Sequence, residues 1–323
     1  MPDEKVTADD LAAFAQNKVN LPAAVVSEKR EQVNTLRTRL EKKIGDEPGF
    51  SLVKMRHAGS VAKGTALRTV NDFDVAVYVK KDDAPLGEDQ LVPWMVERLR
   101  DAYTGLIDPD QVQPGPHCAT ITFKGTGTVV DVVPVLYEGA ANDYGFLVSK
   151  DTGERLLTSV SLHLDFVRSR KKRCPDDWAQ VIRFVKWWAK QHKDADPDFK
   201  FKSFMAELIA AHLLDTGVLF TDHAAALDAF FEYVVRTELR ERIAFTDYIP
   251  ASQIPARGDT PIEVLDPVNA ANNVAKRYTD TDRKRIVVAA EEALDAITEA
   301  KYATTKAQAV QCWQVVFGTS FKG

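Results

Sequence analysis

Apolar positions recur every three or four residues from Pro22 to Lys43. Val25, Val33, Leu36 and Leu40 stand there among charged residues, a period that predicts an amphipathic helix. Ahead of it, Thr7 followed by Ala8-Asp9-Asp10 carries the signature of a capped short helix. Near Gly49 the period shortens. Leu52–His57, Phe73–Val79, Ala119–Phe123 and Val129–Leu136 are runs enriched in Val and Ile and predict strands, with one helix over Leu91–Tyr103 between them. Beyond about residue 160 the helical period returns. It predicts helices over Ser161–Arg173, Trp178–Lys193, Ser203–Thr216, His223–Arg236, Asp280–Lys301 and Thr304–Phe317, with loops at Asp194–Asp198 and Ile249–Asp259. The chain therefore reads as α+β, with a sheet lobe and N-terminal helices over 1–160 and a helical lobe over 161–323. A cleft between two such lobes is the expected place for a ligand.

Composition narrows the classes. The 323 residues carry a net charge of −5, which disfavours a dedicated nucleic-acid wrapper and makes nucleic-acid binding weak or absent as an expectation. A hydrophobic share of 45% and a charged share of 28% are those of an ordinary globular protein. No apolar run is long enough for a transmembrane helix, and the first residues lack a secretory core, so a cytoplasmic location without membrane association is expected. Cys118, Cys174 and Cys312 stand far apart, which argues for reduced thiols and against a disulfide framework or a structural zinc site.

Chemistry concentrates between residues 58 and 79. Gly59 and Ser60 follow a predicted strand and open a short helix. Gly permits close backbone approach, Ser is a good N-cap, and a helix start with unpaired amides suits a polyphosphate. The GxxxxGK[ST] pattern is absent, which excludes a P-loop. Asp72 and Asp74 are spaced i, i+2 on a strand, so both carboxylates leave one face while Phe73, Val75, Val77 and Val79 pack the other. Asp131 is the single charge in the apolar run Val129–Val135, where a lone charge is costly unless paired or metal-bound. If these strands are neighbours, Asp72, Asp74 and Asp131 form a three-carboxylate site for two Mg²⁺ ions, with Mn²⁺ able to replace them. One ion would sit on a leaving triphosphate and the other would lower the pKa of an attacking hydroxyl.

In that order and setting, the sequence resembles the nucleotidyltransferase superfamily that shares the polymerase-β catalytic fold. Within it the resemblance is to the oligoadenylate-synthetase-like and cyclic-GMP-AMP-synthase-like branch, including the bacterial CD-NTases of antiphage signalling. GSVAKGTALR, DFDVAVYV, VDVVPV, VIRFVKWWAK, FKSFMAELIAAH and IEVLDPVNAANNVA carry it over roughly residues 58 to 275. The resemblance implies a sheet lobe followed by a helical lobe, with the nucleotide in the cleft between them. It also implies Asp72, Asp74 and Asp131 as metal-holding catalytic residues. Gly59, Ser60, Lys63, Lys186, Lys202 and Ser203 would hold the donor nucleotide, and Phe204 takes the place of a base-stacking aromatic. A local surplus of six positive charges between Ser161 and Lys193 fits a basic wall for a triphosphate, although the run Arg170–Arg173 reads mainly as a solvated helix end.

The implied activity is metal-dependent joining of nucleoside triphosphates, as donor and acceptor, into a cyclic or short linear oligonucleotide with release of pyrophosphate. Such a product would activate an effector protein. The terminal run Phe317–Gly323 reads as an exposed tail compatible with the covalent attachment through the C-terminus, here Gly323, known for some members. Two other readings stand beside this one: a template-independent RNA-tailing enzyme of CCA-adding type, and a catalytically silent nucleotide-binding scaffold. No zinc-binding insertion of the animal DNA-sensing kind is visible.

Overall fold

The structure is a computed structural model that describes residues 5–45, 52–69, 72–80 and 87–323. Two compact units result: a sheet unit over Leu21–Val167, and a helical unit that joins Met1–Asn20 to Arg168–Gly323. The expected division at residue 160 put the whole N-terminus with the sheet. Instead α1 (Ala8–Phe14), capped by Thr7 and closed by a reciprocal Thr7–Asp10 capping box, belongs to the helical unit. The cause is apolar: Phe14 meets Phe184, Phe317 and Phe321 with ring centroids 6.4, 5.0 and 5.1 Å away.

The sheet unit follows the strand reading closely. It contains α2 (Ala23–Gly45), β1 (Leu52–Ala58), the five-residue α3 (Gly59–Lys63), β2 (Asp72–Lys80) and α4 (Leu91–Ala102). Then come β3 (Val112–Pro114), β4 (Ala119–Phe123), β5 (Thr128–Tyr137), β6 (Gly145–Val148) and β7 (Arg155–Thr158). The sheet order is β1-β2-β5-β4-β3, with β6 on β5 and β7 on β6. Only β2 and β5 run parallel among these pairings, which requires the crossover that α4 and the β3–β4 hairpin supply. Phe73, Val75, Val77 and Val79 of β2 enter one core with Val33, Leu36, Leu40 and Ile44 of α2 and Met95 and Leu99 of α4. On the other face of β2, Ala76 and Tyr78 pack with Val135. β2 is therefore apolar on both faces from Val75 to Val79, with Asp72 and Asp74 at its start and the exposed Lys80 at its end.

The helical unit contains the end of α5 (Val160–Arg173), then α6 (Asp177–Ala195), α7 (Ser203–Asp215), α8 (His223–Thr237), α9 (Asp280–Tyr302) and α10 (Lys306–Phe317). Each predicted helix is found within a few residues of its expected bounds. α6 is buried along most of its length, from Trp178 to Ala189. Trp187 Nε1 donates to the Phe317 carbonyl at 2.9 Å, which ties α6 to the end of α10.

Two expectations are corrected here. Arg170 is not a solvated helix-end residue: it is 2% exposed, pairs with Asp215 at 2.5 Å and Asp247 at 2.9 Å, and lies over Phe245 and Tyr248. Nor is Phe317–Gly323 an extended exposed tail. Gly318, at φ +77°, turns the chain back so that Phe321 is fully buried against Trp313 and Phe317, and only Lys322 and Gly323 remain exposed of the last three residues. Phe321→Ala is expected to lower stability by about 3–5 kcal/mol, read as a shifted denaturation midpoint in guanidinium chloride with an unchanged m-value.

Candidate active site

The site begins with strand register. In the parallel β2–β5 pair, Asp74 and Asp131 are direct partners, so the lone downstream aspartate stands one strand spacing from the first pair. Asp72 occupies the exposed first position of β2, two residues before Asp74 and on the same side of the strand. Asp74 and Asp131 are half-buried.

Gly59 completes the crowding. β1 pairs antiparallel with β2 so that Ala58 faces Asp74, and the next residue, Gly59, has φ +67°. A Cβ at Gly59 would fall 1.6 Å from Asp74 Oδ2, so a side chain here would displace the Asp74 carboxylate, and the positive φ would strain it as well. Ser60, by contrast, does not cap α3. The N-cap is Ala58 and Ser60 is the second helical residue, because the Gly59 turn starts the helix two residues earlier than expected. Lys63, at the end of that helix, is near enough for its charge to act on Asp74.

The electrostatics follow from this geometry. Burial pushes the Asp74 carboxyl up to about 6, repulsion from Asp131 and then Asp72 adds to it, and Lys63 works in the opposite direction. Like charges held together in a partly dry site are what a hard divalent cation relieves, and all three groups are oxygen donors of the kind such ions prefer. Among the described residues, no three His, Cys, Asp or Glu side chains stand already gathered as a metal cage. The donor set fits such an ion chemically, with Asp74 and Asp131 side by side and Asp72 at the exposed strand start.

One polar neighbour of this site went unread in the sequence. Thr120 on β4 is the direct partner of Asp131 from the other side of β5, and its hydroxyl donates to Asp131 Oδ1 at 2.5 Å. The signal was faint. Thr120 alternates with the buried Ala119 and Ile121, but only the β4–β5 register shows which residue it faces.

The expected nucleotide contacts of the helical unit fare unequally. Lys202 and Ser203 are exposed and Phe204 is half-buried at the start of α7. The Lys202 backbone amide donates to the Tyr278 hydroxyl at 2.7 Å and its Nζ to the Val274 carbonyl at 2.9 Å. Lys193, Phe199, Lys200, Phe201, Lys202 and Arg277 line a cavity of about 500 Å³ together with Tyr278. Lys186 lies deeper than Lys202, Ser203 and Phe204. It is 6% exposed and its ammonium bonds Glu207 Oε1 at 2.6 Å, because α6 turns this position onto α7 rather than to solvent. Much of the expected basic wall is similarly occupied: Arg173 pairs with Asp215 and Lys190 with Asp194.

No protein-family model matches the chain. It is 48% identical to the cyclic AMP-AMP-AMP synthase of Escherichia coli (strain MS 115-1) over 323 residues, which is 100% of both chains. It is 29% identical to the CBASS oligonucleotide cyclase CdnC of Escherichia coli (strain KTE188) over 328 residues, 98% of each chain. Among solved structures, E. coli MS115-1 CdnC with ATP superposes at a TM-score of 0.91, covering 99% of this chain and 100% of that one at 48% identity. The complex of that CdnC with HORMA-deltaN superposes at 0.90, covering 99% of both chains at the same identity. The Vibrio cholerae DncV cyclic AMP-GMP synthase with a linear intermediate gives 0.73 at 12% identity, covering 99% of this chain and 96% of that one, a likeness of fold alone.

Two outcomes follow from this geometry. Asp74 should titrate near pH 6 by carboxyl NMR, and Asp131→Asn should lower that value by removing a like charge. Because the folded value lies above the unfolded one, the stability Asp74 confers is complete below about pH 4 and is lost as pH rises through about 6. Separately, Glu207→Ala should cost about 3–5 kcal/mol by removing the acid that meets the buried Lys186 ammonium, whereas Lys186→Met with Glu207→Leu should recover most of it in chemical denaturation.

Proposed function

Because the chain belongs to the CD-NTase family of cyclic-oligonucleotide nucleotidyltransferases, the enzymes of CBASS antiphage signalling, we propose that it joins ATP into a cyclic AMP trimer with release of pyrophosphate. The substrate and product are read from the relative that shares 48% of its residues across its full length. The observation on this chain that carries the reading is the Asp74–Asp131 pairing at the mouth of β2, crowded by Gly59 and flanked by Asp72.

Asp72, Asp74 and Asp131 are the residues proposed to hold divalent cations, two Mg²⁺ ions in this reading with Mn²⁺ able to serve. When bound, such ions neutralise triphosphate charge and make a ribose hydroxyl easier to deprotonate. The chain's own residues do the rest. Asp74 is held close to its neighbours by the absence of a side chain at Gly59, and must be ionised to act as a ligand. Ser60 and Lys63 sit within the turn that follows β1, in reach of an anionic group brought to the carboxylates. Lys202, Ser203 and Phe204 are further proposed nucleotide contacts, resting on motif resemblance and on the exposure of Lys202 and Ser203. Lys186 is proposed to act indirectly, by fixing α6 to α7 through Glu207. Catalysis then rests on positioning and charge neutralisation, with no covalent protein intermediate.

The partners proposed are ATP as donor and acceptor, an effector activated by the product, and a HORMA-type protein. The last is suggested by the relative's complex with HORMA-deltaN. Attachment through Gly323 draws narrower support, since the buried Phe321 leaves only Lys322 and Gly323 exposed beyond it. No helix among the described residues is long and apolar enough to cross a membrane, and we place the protein in the cytoplasm, where its substrate is abundant.

The test is direct. Chain purified with its HORMA-type partner and incubated with labelled ATP and Mg²⁺ should yield a phosphatase-resistant species with the mass of three AMP units, absent when EDTA is added. Asp72→Ala with Asp74→Ala should reduce that product by more than about 100-fold, beyond the cost of disturbing only the outer partner of a ligand, without changing the thermal midpoint by more than a few degrees. Persistent synthesis in that double variant would remove the metal-holding role from these carboxylates.

A further inference from the structure

We infer that Thr120 is a positioning residue for Asp131, its hydroxyl engaging one carboxylate oxygen so that the other is presented to a divalent cation. This rests on the carboxylate site proposed above and goes beyond it by naming what orients the third acid. Thr120 and Asp131 face each other across the antiparallel β4–β5 pair, and Thr120 Oγ1 lies 2.5 Å from Asp131 Oδ1. A charge-assisted hydroxyl-to-carboxylate bond of this length is among the stronger hydrogen bonds a side chain makes.

The direction of that bond is fixed by chemistry. An ionised carboxylate only accepts, so the single hydroxyl proton of Thr120 must point to Asp131. Cys118 Sγ lies 3.7 Å from the same hydroxyl oxygen. With the Thr120 proton committed, only the thiol could donate within that pair, and Cys118 also lies within hydrogen-bonding range of Asp131 itself, so Thr120 and Cys118 both border the carboxylate.

Packing does not account for Thr120. Its strand neighbours Ala119 and Ile121 are fully buried and belong to the main core of the sheet unit, whereas Thr120 projects from the opposite face and is half-buried. Valine would fill the same volume in a strand equally well. What valine lacks is the hydroxyl, and the hydroxyl's partner is the lone acid of β5. The two central carboxylates thus have separate devices: a missing side chain at Gly59 for Asp74, and a donated proton from Thr120 for Asp131. Partners that orient a metal ligand commonly change metal affinity by 10- to 100-fold when removed.

The experiment measures Mn²⁺ binding to the nucleotide-free full chain by electron paramagnetic resonance, with thermal midpoints recorded in parallel. Thr120→Val is expected to weaken Mn²⁺ binding by about 10- to 100-fold, and Thr120→Ser, which keeps the hydroxyl, to restore the parent affinity. Should Thr120→Val not fold, Thr120→Ala takes its place under the same criterion. Parent-like Mn²⁺ affinity in a folded variant without the hydroxyl would overturn the inference and leave the carboxylate site standing. Thr120→Ser as weak as Thr120→Val at an unchanged midpoint would overturn it too, by assigning the effect to volume. If Asp131→Asn leaves Mn²⁺ binding unaltered, the carboxylate site fails first and the role of Thr120 with it.

Discussion

The parallel pairing of β2 with β5 is the contact on which the chemistry depends. It places Asp74 beside Asp131 at the spacing of neighbouring strands, about 4.8 Å, with aliphatic pairs following them along both strands. Register is enforced by the pairs further along, from Val75 with Val132 to Val79 with Leu136. A slip of one residue would carry these side chains to the wrong face of the sheet and lose the core shared with α2 and α4. The apolar two-thirds of β2 therefore holds its charged end in a place that charge alone would avoid.

The two units treat buried charge in opposite ways. In the helical unit, Lys186 meets Glu207 and Arg170 meets Asp215 and Asp247, so each buried cation has an acid of its own. These pairs are satisfied within the chain and hold helices to one another. In the sheet unit, Asp74 faces two further acids, and the Lys63 charge offsets only part of their repulsion of it. Repulsion left standing in a rigid frame is a different kind of feature. It lowers the stability of the chain by itself and is relieved when positive charge arrives from outside.

How much of this was legible in the sequence depends on the range of the interaction. The alternation of β2 was readable because Asp72, Asp74 and the intervening Phe73 obey a period of two within one short run. The helices after residue 160 were readable for the same local reason. What needed a partner strand or helix was not. Thr120 looks like any threonine in a strand until β4 is set against β5. Lys186 shares a helical face with Arg183 and Lys190 by spacing, yet α6 is enclosed so fully that Lys186 turns inward to Glu207. β6 and β7, of four residues each, are too short for a period to register. The segment after Gly318 resembled a loose tail, because nothing in Thr319-Ser320-Phe321 announces that Phe14, some three hundred positions away, is waiting for that ring.

That last contact has an implication for how the molecule is made. Phe14 is made before the sheet unit, while the rings it packs against, Phe184, Phe317 and Phe321, are made after it. The sheet unit, lying wholly between, has all its strands before the helical unit has its last helix. The sheet unit is thus made whole between the two parts of the helical unit, and the apolar face of α1 waits through its synthesis for the rings it packs against. A nascent chain stalled midway would display that apolar face to whatever chaperone or protease reaches it first.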